Sequence, residues 1–305
     1  TLSEAIQSVA MLKYYDVGLV RCELLDAVSV AAFNAANTNT STSRSSRNTT
    51  NDDDPSTPTD DTTIQRTMEE KPTLFLELSA SSERTLQDHI KTTQSICVDE
   101  YKGRDFRCTT KEEERKALWK ARHELYYSSI QYREGATTAI VTDVCVPISK
   151  LAQIMEETVQ DVQRYNVVGP CFGHVGDGNF HCILPIKEHD NEDDDDDTAN
   201  ETMKERIEEQ EYRERIDRVH ENLIQRALEV DGTCTGEHGV GYGKIKYLSQ
   251  QYGPNTVDMM KRIKIALDPN NIMNPGKVVT PGGDTIRSTI GETATKMGNT
   301  DYSYY

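Results

Sequence analysis

The chain has 305 residues with 34 basic and 51 acidic side chains, a formal net charge of −17. That length suffices for a buried core and excludes a disulfide-stapled mini-protein. The acids of two stretches free of Lys and Arg, Asp52 to Asp61 and Glu188 to Glu201, account for all but about three units of the charge, so the remainder is near neutral and has no basic field for a nucleic-acid backbone.

Thr1 leads without a recognisable leader into an amphipathic helix carrying Ile6, Val9 and Leu12, as in a piece cut from a longer chain. Val17 to Val20 reads as a strand, and a second helix is expected from Leu24. Residues 36–67 are Asn, Thr, Ser and Asp with almost no apolar side chain, which predicts a disordered insert. Pro72 to Ser79 is a strand pattern, followed by a helix begun at Ser81 or Ser82. Thr110 and Glu113 form a capping-box pair for a helix through Leu118, Arg122 and Leu125. A strand follows over 138–146, and Ser149 is the expected cap of a helix with Leu151, Ile154, Met155, Val159 and Val162 at the 3.6 period. Two short strands flank Asp177-Gly178, the acidic stretch 188–202 is a second insert, and a long helix runs through Ile216, Val219 and Leu223. A last helix stops at Asp268-Pro269, because proline cannot continue the ladder. The tail 280–305 is polar.

Hairpin signals and short links favour α+β layering, an antiparallel sheet with helices packed mainly on one face. No Gly-x-Gly-x-x-Gly joins a strand to a helix, so a dinucleotide-binding unit is not encoded, and no run reaches the ~18 apolar residues of a membrane span. The seven cysteines are scattered, odd in number and never spaced Cys-x-x-Cys, which fits a reducing compartment better than a disulfide framework.

Two segments carry chemistry. In Gly173 to His181, a two-residue turn at Asp177-Gly178 would pair His174 with His181 on one sheet face, Cβ atoms roughly 4.5–5.5 Å apart and close enough to share a metal. The same spacing suits a hairpin whose histidines only pack or hydrogen-bond. Gly232 to Gly243 sets Glu237 beside His238 among glycines that allow close backbone approach, or it is an ordinary flexible loop. Together His174, His181 and Glu237 offer a nitrogen–nitrogen–oxygen set with open coordination positions. Such a set with a nearby base would also serve a metal-dependent hydrolase, although no His-Glu-x-x-His helix is present.

The strings Glu23-Leu-Leu-Asp26, Pro72 to Glu77, Leu118-Trp-Lys-Ala-Arg-His123, Thr142-Asp-Val-Cys-Val-Pro-Ile-Ser149, Gly173 to His181, Thr233 to Gly239 and Leu267 to Lys277 resemble, in that order, the C-terminal domain of FAD-linked D-2-hydroxyacid dehydrogenases. The resemblance implies a cap and substrate domain over 1–279, with the N-terminal FAD-binding domain absent from this chain and a sheet lying over the flavin. It implies that D-lactate or a close D-2-hydroxy acid is oxidised, with FAD reduced and electrons passed to cytochrome c in mitochondria. Glycolate and D-2-hydroxyglutarate are the alternative substrates, and an inactive cap is the non-enzyme alternative. By the same resemblance His174, His181 and Glu237 bind zinc or manganese, and His238 is the base. Asn274 resembles the family's flavin-facing Asn, or marks an ordinary turn before proline; Asp143, beside Val144, approaches the flavin or only satisfies backbone donors; and Arg122 grips the substrate carboxylate or is a solvated helix residue. His89, His123, His189 and His220 match nothing comparable and read as ordinary core or surface residues.

Overall fold

The computed structural model describes residues 1–45, 67–188 and 199–280. Its centre is a six-stranded antiparallel sheet built from β1 (Leu19–Leu25), β2 (Thr73–Leu78), β3 (Thr138–Val141), β4 (Val144–Cys145), β5 (Cys171–Gly173) and β6 (Asn179–Ile186). The strand order is β2-β1-β5-β6-β3, and β4 also pairs with β6. Antiparallel layering with helices is thus the architecture the sequence suggests.

Alternation along the strands sorts side chains to two faces. Cys22, Leu24, Cys171, Phe180, Cys182 and Leu184 join the larger core, together with residues of α1 (Leu2–Tyr14), α5 (Ile148–Arg164) and the long α6 (Ala199–Glu229). The intervening Leu25, Phe75, Phe172 and Ile183 face a smaller core built with α2 (Ala27–Ser45) and α4 (Glu112–Gln131). Helices α1, α5 and α6 cover the first face, while α2 and α4 pack on the second, so helices flank both faces and not mainly one as the sequence suggests, because Phe75, Phe172 and Ile183 leave the second face apolar as well. Glu23, between Cys22 and Leu24, and His181, between Phe180 and Cys182, belong by alternation to the second face.

Several boundaries differ from the sequence reading. Leu24 and Leu25 end β1, and the second helix starts at Ala27. That helix continues to Ser45, into the stretch expected to be disordered. Val30 and Phe33 anchor it in the smaller core, and Asn34 exchanges hydrogen bonds with the Met68 backbone, so packing overrides weak propensity. The rest of that insert, the acidic run at 193–197 and the tail beyond 280 lie outside the described residues. Ser82 caps α3 (Glu83–Gln94) through Thr85 N–H as expected. The Thr110 capping box does not form: α4 begins after Lys111 with no side-chain cap, and Thr109 takes the Lys111 N–H instead. Ser149 lies inside the first turn of α5, after Pro147. The last helix, α8 (Pro254–Leu267), stops where Asp268-Pro269 requires, preceded by the short α7 (Leu248–Tyr252).

Asp26 precedes α2, and its Oδ1 accepts Ser29 N–H at 2.7 Å. Burial, only partly offset by the Ser29 donors, pushes its carboxyl up to about 6. A folded value above the unfolded one means that the native state keeps this proton where the unfolded chain has lost it. Stability should therefore fall as pH rises from about 4 to about 6, by roughly 3 kcal/mol from this group. Asn caps as well as Asp, so Asp26→Asn should flatten the pH dependence of urea unfolding across that window. An identical slope in both proteins would acquit Asp26.

Candidate active site

The strand register around His181 departs from the two-residue turn. Phe172, not His174, lies opposite His181, and Cys171 lies opposite Cys182. The chain reverses over residues 174–178, where the His174 carbonyl accepts Asp177 N–H at 2.9 Å and Asn179 N–H at 3.3 Å. Gly178 takes a φ of 79°, whereas Asp177 is not among the positive-φ residues. The reason is tertiary: the Gly178 carbonyl accepts Val146 N–H at 2.9 Å, and a Cβ on Gly178 would stand 2.1 Å from the Val146 oxygen. The two histidines still meet, edge to face, with ring centroids 6.2 Å apart.

The glycine-rich segment arrives from α6. Thr233 N–H bonds to the Cys145 carbonyl at 2.8 Å, placing the next residues over the break between β3 and β4. Asp143 sits in that break, 1% exposed. Its Oδ2 accepts the N–H groups of Gly236 (2.8 Å), Glu237 (3.0 Å) and His238 (2.9 Å) and the Thr235 hydroxyl (2.7 Å). Lys244 Nζ stands 3.5 Å away. Burial alone would raise this carboxyl; the His238 N–H, the Thr235 hydroxyl and the Lys244 charge outweigh it and bring Asp143 down to about 2. Gly236 permits the approach, because a Cβ there would lie 2.8 Å from Asp143 Oδ1.

The result is a convergence on one oxygen. Glu237 Oε1 is 3.0 Å from His181 Nε2, 3.6 Å from His174 Nε2 and 3.8 Å from His238 Nε2. The His181 and His238 rings stack, centroids 5.0 Å apart and 3° between planes. Ligand atoms of Asp143, His181, Glu237 and His238 also lie within 4.8 Å of one another, but the Asp143 oxygens already serve the loop amides. Both candidate histidine ligands are tied behind the ring. His181 Nδ1 bonds to the Thr142 carbonyl at 3.0 Å, and His174 Nδ1 meets Glu23 Oε1. In each, Nδ1 is then the donor and Nε2 presents its lone pair forward. The Glu23 bond raises the His174 pKa, whereas burial lowers that of His181.

Other sequence-predicted residues fall differently. Arg122 directs Nε (3.0 Å) and Nη2 (2.8 Å) to Glu23 Oε2, with Cζ 4.6 Å over the Phe172 ring. That edge of the guanidinium is committed to Glu23, and the N–H groups of its other edge, on Nη1 and Nη2, are the ones left to meet a substrate carboxylate. Asp143 satisfies the backbone donors of the glycine loop, the second of the two roles its place at a strand end suggests, and its neighbour Val144 is fully buried in the larger core. Asn274 is exposed at a φ of 46°, in a turn held to the glycine loop by Val278 N–H to the Gly241 carbonyl (2.9 Å) and Tyr242 Oη to the Pro275 carbonyl (3.0 Å). His123 contacts the Trp119 carbonyl, and His220 is half-buried on α6 with its pKa pushed down to about 4 by desolvation. His189 lies outside the described residues. Glu23 and Lys244 were not foreseen as site residues; an acid inside the otherwise apolar end of β1 is the signal that points to Glu23.

Comparison with known proteins assigns the chain to a family. The chain belongs to the family described as FAD linked oxidases, C-terminal domain, whose model matches residues 1–278. It is similar to a probable mitochondrial D-lactate dehydrogenase of Danio rerio, 43% identical over 211 residues, or 68% of this chain and 37% of that protein. It is also similar to the mitochondrial D-lactate dehydrogenase [cytochrome] of Arabidopsis thaliana, 33% identical over 264 residues, or 86% of this chain and 37% of that protein. The chain therefore spans little more than a third of the length of these relatives. A solved p-cresol methylhydroxylase with substrate bound shares the fold alone, with a TM-score of 0.57 and 14% identity over 93% of this chain and 51% of that one. Among the described residues no helix is long and apolar enough to cross a membrane.

Proposed function

We propose that the chain forms the substrate-side part of a FAD-dependent dehydrogenase that oxidises D-lactate or a close D-2-hydroxy acid. The observation that carries this reading is the convergence of three imidazole Nε2 atoms on Glu237 Oε1, in a domain whose relatives are named D-lactate dehydrogenases. His174, His181 and Glu237 would hold a divalent ion, zinc or manganese. The donor set fits, since both rings offer Nε2 with Nδ1 tied back, and a set of two nitrogens and one oxygen leaves positions open for substrate. When bound, the ion supplies Lewis acidity at the substrate hydroxyl and a flavin supplies a hydride acceptor.

The chain's own residues do the rest. His238 accepts the hydroxyl proton at Nε2, and its stacking on His181 holds the ring beside the ligands without enlisting it as one. Asp143 fixes the peptide from Thr235 to His238, and so sets ligand and base together. Asn274, on the turn joined to the glycine loop, would be the residue that faces a bound flavin. Cytochrome c is the proposed electron acceptor and the mitochondrion the proposed location, supported by relatives whose names read mitochondrial and, for one, [cytochrome].

Elemental analysis and anaerobic mixing with substrate test the reading in protein carrying its flavin-binding part. A divalent ion should co-purify and be bound far more weakly in His174→Ala, and D-lactate should bleach the flavin in preference to glycolate or D-2-hydroxyglutarate. Preference for either of the latter reassigns the substrate. No bleaching by any of the three would leave an inert cap.

A further inference from the structure

We infer that Glu23, itself held by Arg122, is the positioning residue that fixes the His174 imidazole for metal ligation. This rests on the metal reading above and adds to it a part of the site lying 99 residues from Arg122 in sequence. His174 needs such a device more than His181 does. His181 stands on a strand, almost wholly buried, with a backbone carbonyl behind Nδ1. His174 lies in the turn beyond β5 with its side chain 42% exposed. Among the described residues its ring nitrogens meet only two groups, Glu23 at Nδ1 and Glu237 at Nε2. An exposed imidazole on a turn has free rotamers and two tautomers. A carboxylate at Nδ1 selects the Nδ1–H form, stops the ring from flipping, and makes Nε2 a more basic ligand.

Glu23 is built for that task. Its carboxylate is 5% exposed, inside the apolar end of β1, where an unpaired charge would be costly. One oxygen is neutralised by two N–H groups of Arg122, and the other is left for His174. Arg122 is fixed in turn on the Phe172 ring, and Phe172 lies opposite His181 in the sheet. The line from α4 through Arg122, Glu23 and His174 therefore ends on the same strand pair that supplies the second ligand. A simple staple between α4 and β1 would need only the Arg122 contact and would leave Oε1 without a reason to face a half-exposed histidine.

The test is a double-mutant cycle read in metal affinity, with Zn²⁺ and Mn²⁺ each titrated against a competing chelator. Glu23→Gln should weaken binding by about 10- to 100-fold. In a His174→Ala background the same substitution should weaken it no further, because Glu23 acts through that ring. Wild-type affinity in Glu23→Gln would overturn the inference and leave the metal reading standing. An equal additional loss in the His174→Ala background would also overturn it, by showing a general effect on the fold. If the unmodified protein takes up neither ion, the metal reading falls and this inference with it. Should Glu23→Gln not fold, Glu23→Gln/Arg122→Met removes the cation left without a partner. The double variant is expected to show the same weakened affinity, and wild-type affinity in it would count against the inference.

Discussion

His238→Ala is expected to slow flavin reduction by D-lactate by about 10²- to 10⁴-fold, the usual contribution of a positioned general base, with flavin and metal both retained. The ring is 29% exposed, and it meets the His181 ring by stacking and Glu237 at 3.8 Å. Deleting it should therefore disturb neither the sheet nor the Asp143 bonds, which use the His238 backbone and not its side chain. Metal analysis of the same variant separates base from ligand. His238 lies close enough to His181 and Glu237 to ligate, so a His238→Ala protein that loses its ion would move His238 into the ligand set. Near-normal flavin bleaching with the ion still present would reject the base assignment.

Asp143→Ala should have the largest effect on stability. The substitution strips the acceptor from three backbone N–H groups and a hydroxyl, and leaves the mostly buried Lys244 ammonium without its nearest carboxylate. Removing one partner from a buried charged network costs roughly 3–5 kcal/mol, which urea unfolding measures directly. The loop from Thr235 to His238 carries both Glu237 and His238, so metal affinity and turnover should fall together and not separately. Asp143→Asn keeps one acceptor oxygen but turns an amide N–H₂ toward the loop donors, and should lie between the two. A loss below about 1 kcal/mol with metal binding intact would mean that the loop is held by other contacts.

The sequence carried most of the element order and singled out His174, His181, Glu237 and His238, which the fold brings together. Apolar residues at the 3.6 period located α5, the Pro72 to Ser79 pattern located β2, and Asp268-Pro269 ended α8. Two histidines and a carboxylate of a metal-binding type sat in two short segments, and the fold brings those segments together. What the sequence misread was decided by contacts between distant residues. The turn before His181 is five residues long because Gly178 bonds to Val146. Thr110 does not cap α4, whose first turn rests on Lys111 with no side-chain cap. Arg122 on α4 looked like a free guanidinium because its partner, Glu23, lies on β1, 99 residues away in sequence.

Alternation and helical period, both local repeats of side-chain chemistry, wrote into the linear chain an antiparallel α+β layering, and two short segments supplied the residue types of the proposed cation site and base. Which oxygen each imidazole faces, which acid holds the loop and which cation neutralises Glu23 came only with the tertiary structure. Those choices depend on the closing of long loops and on burial that makes an unpaired charge costly, and neither quantity is a property of any short stretch of sequence.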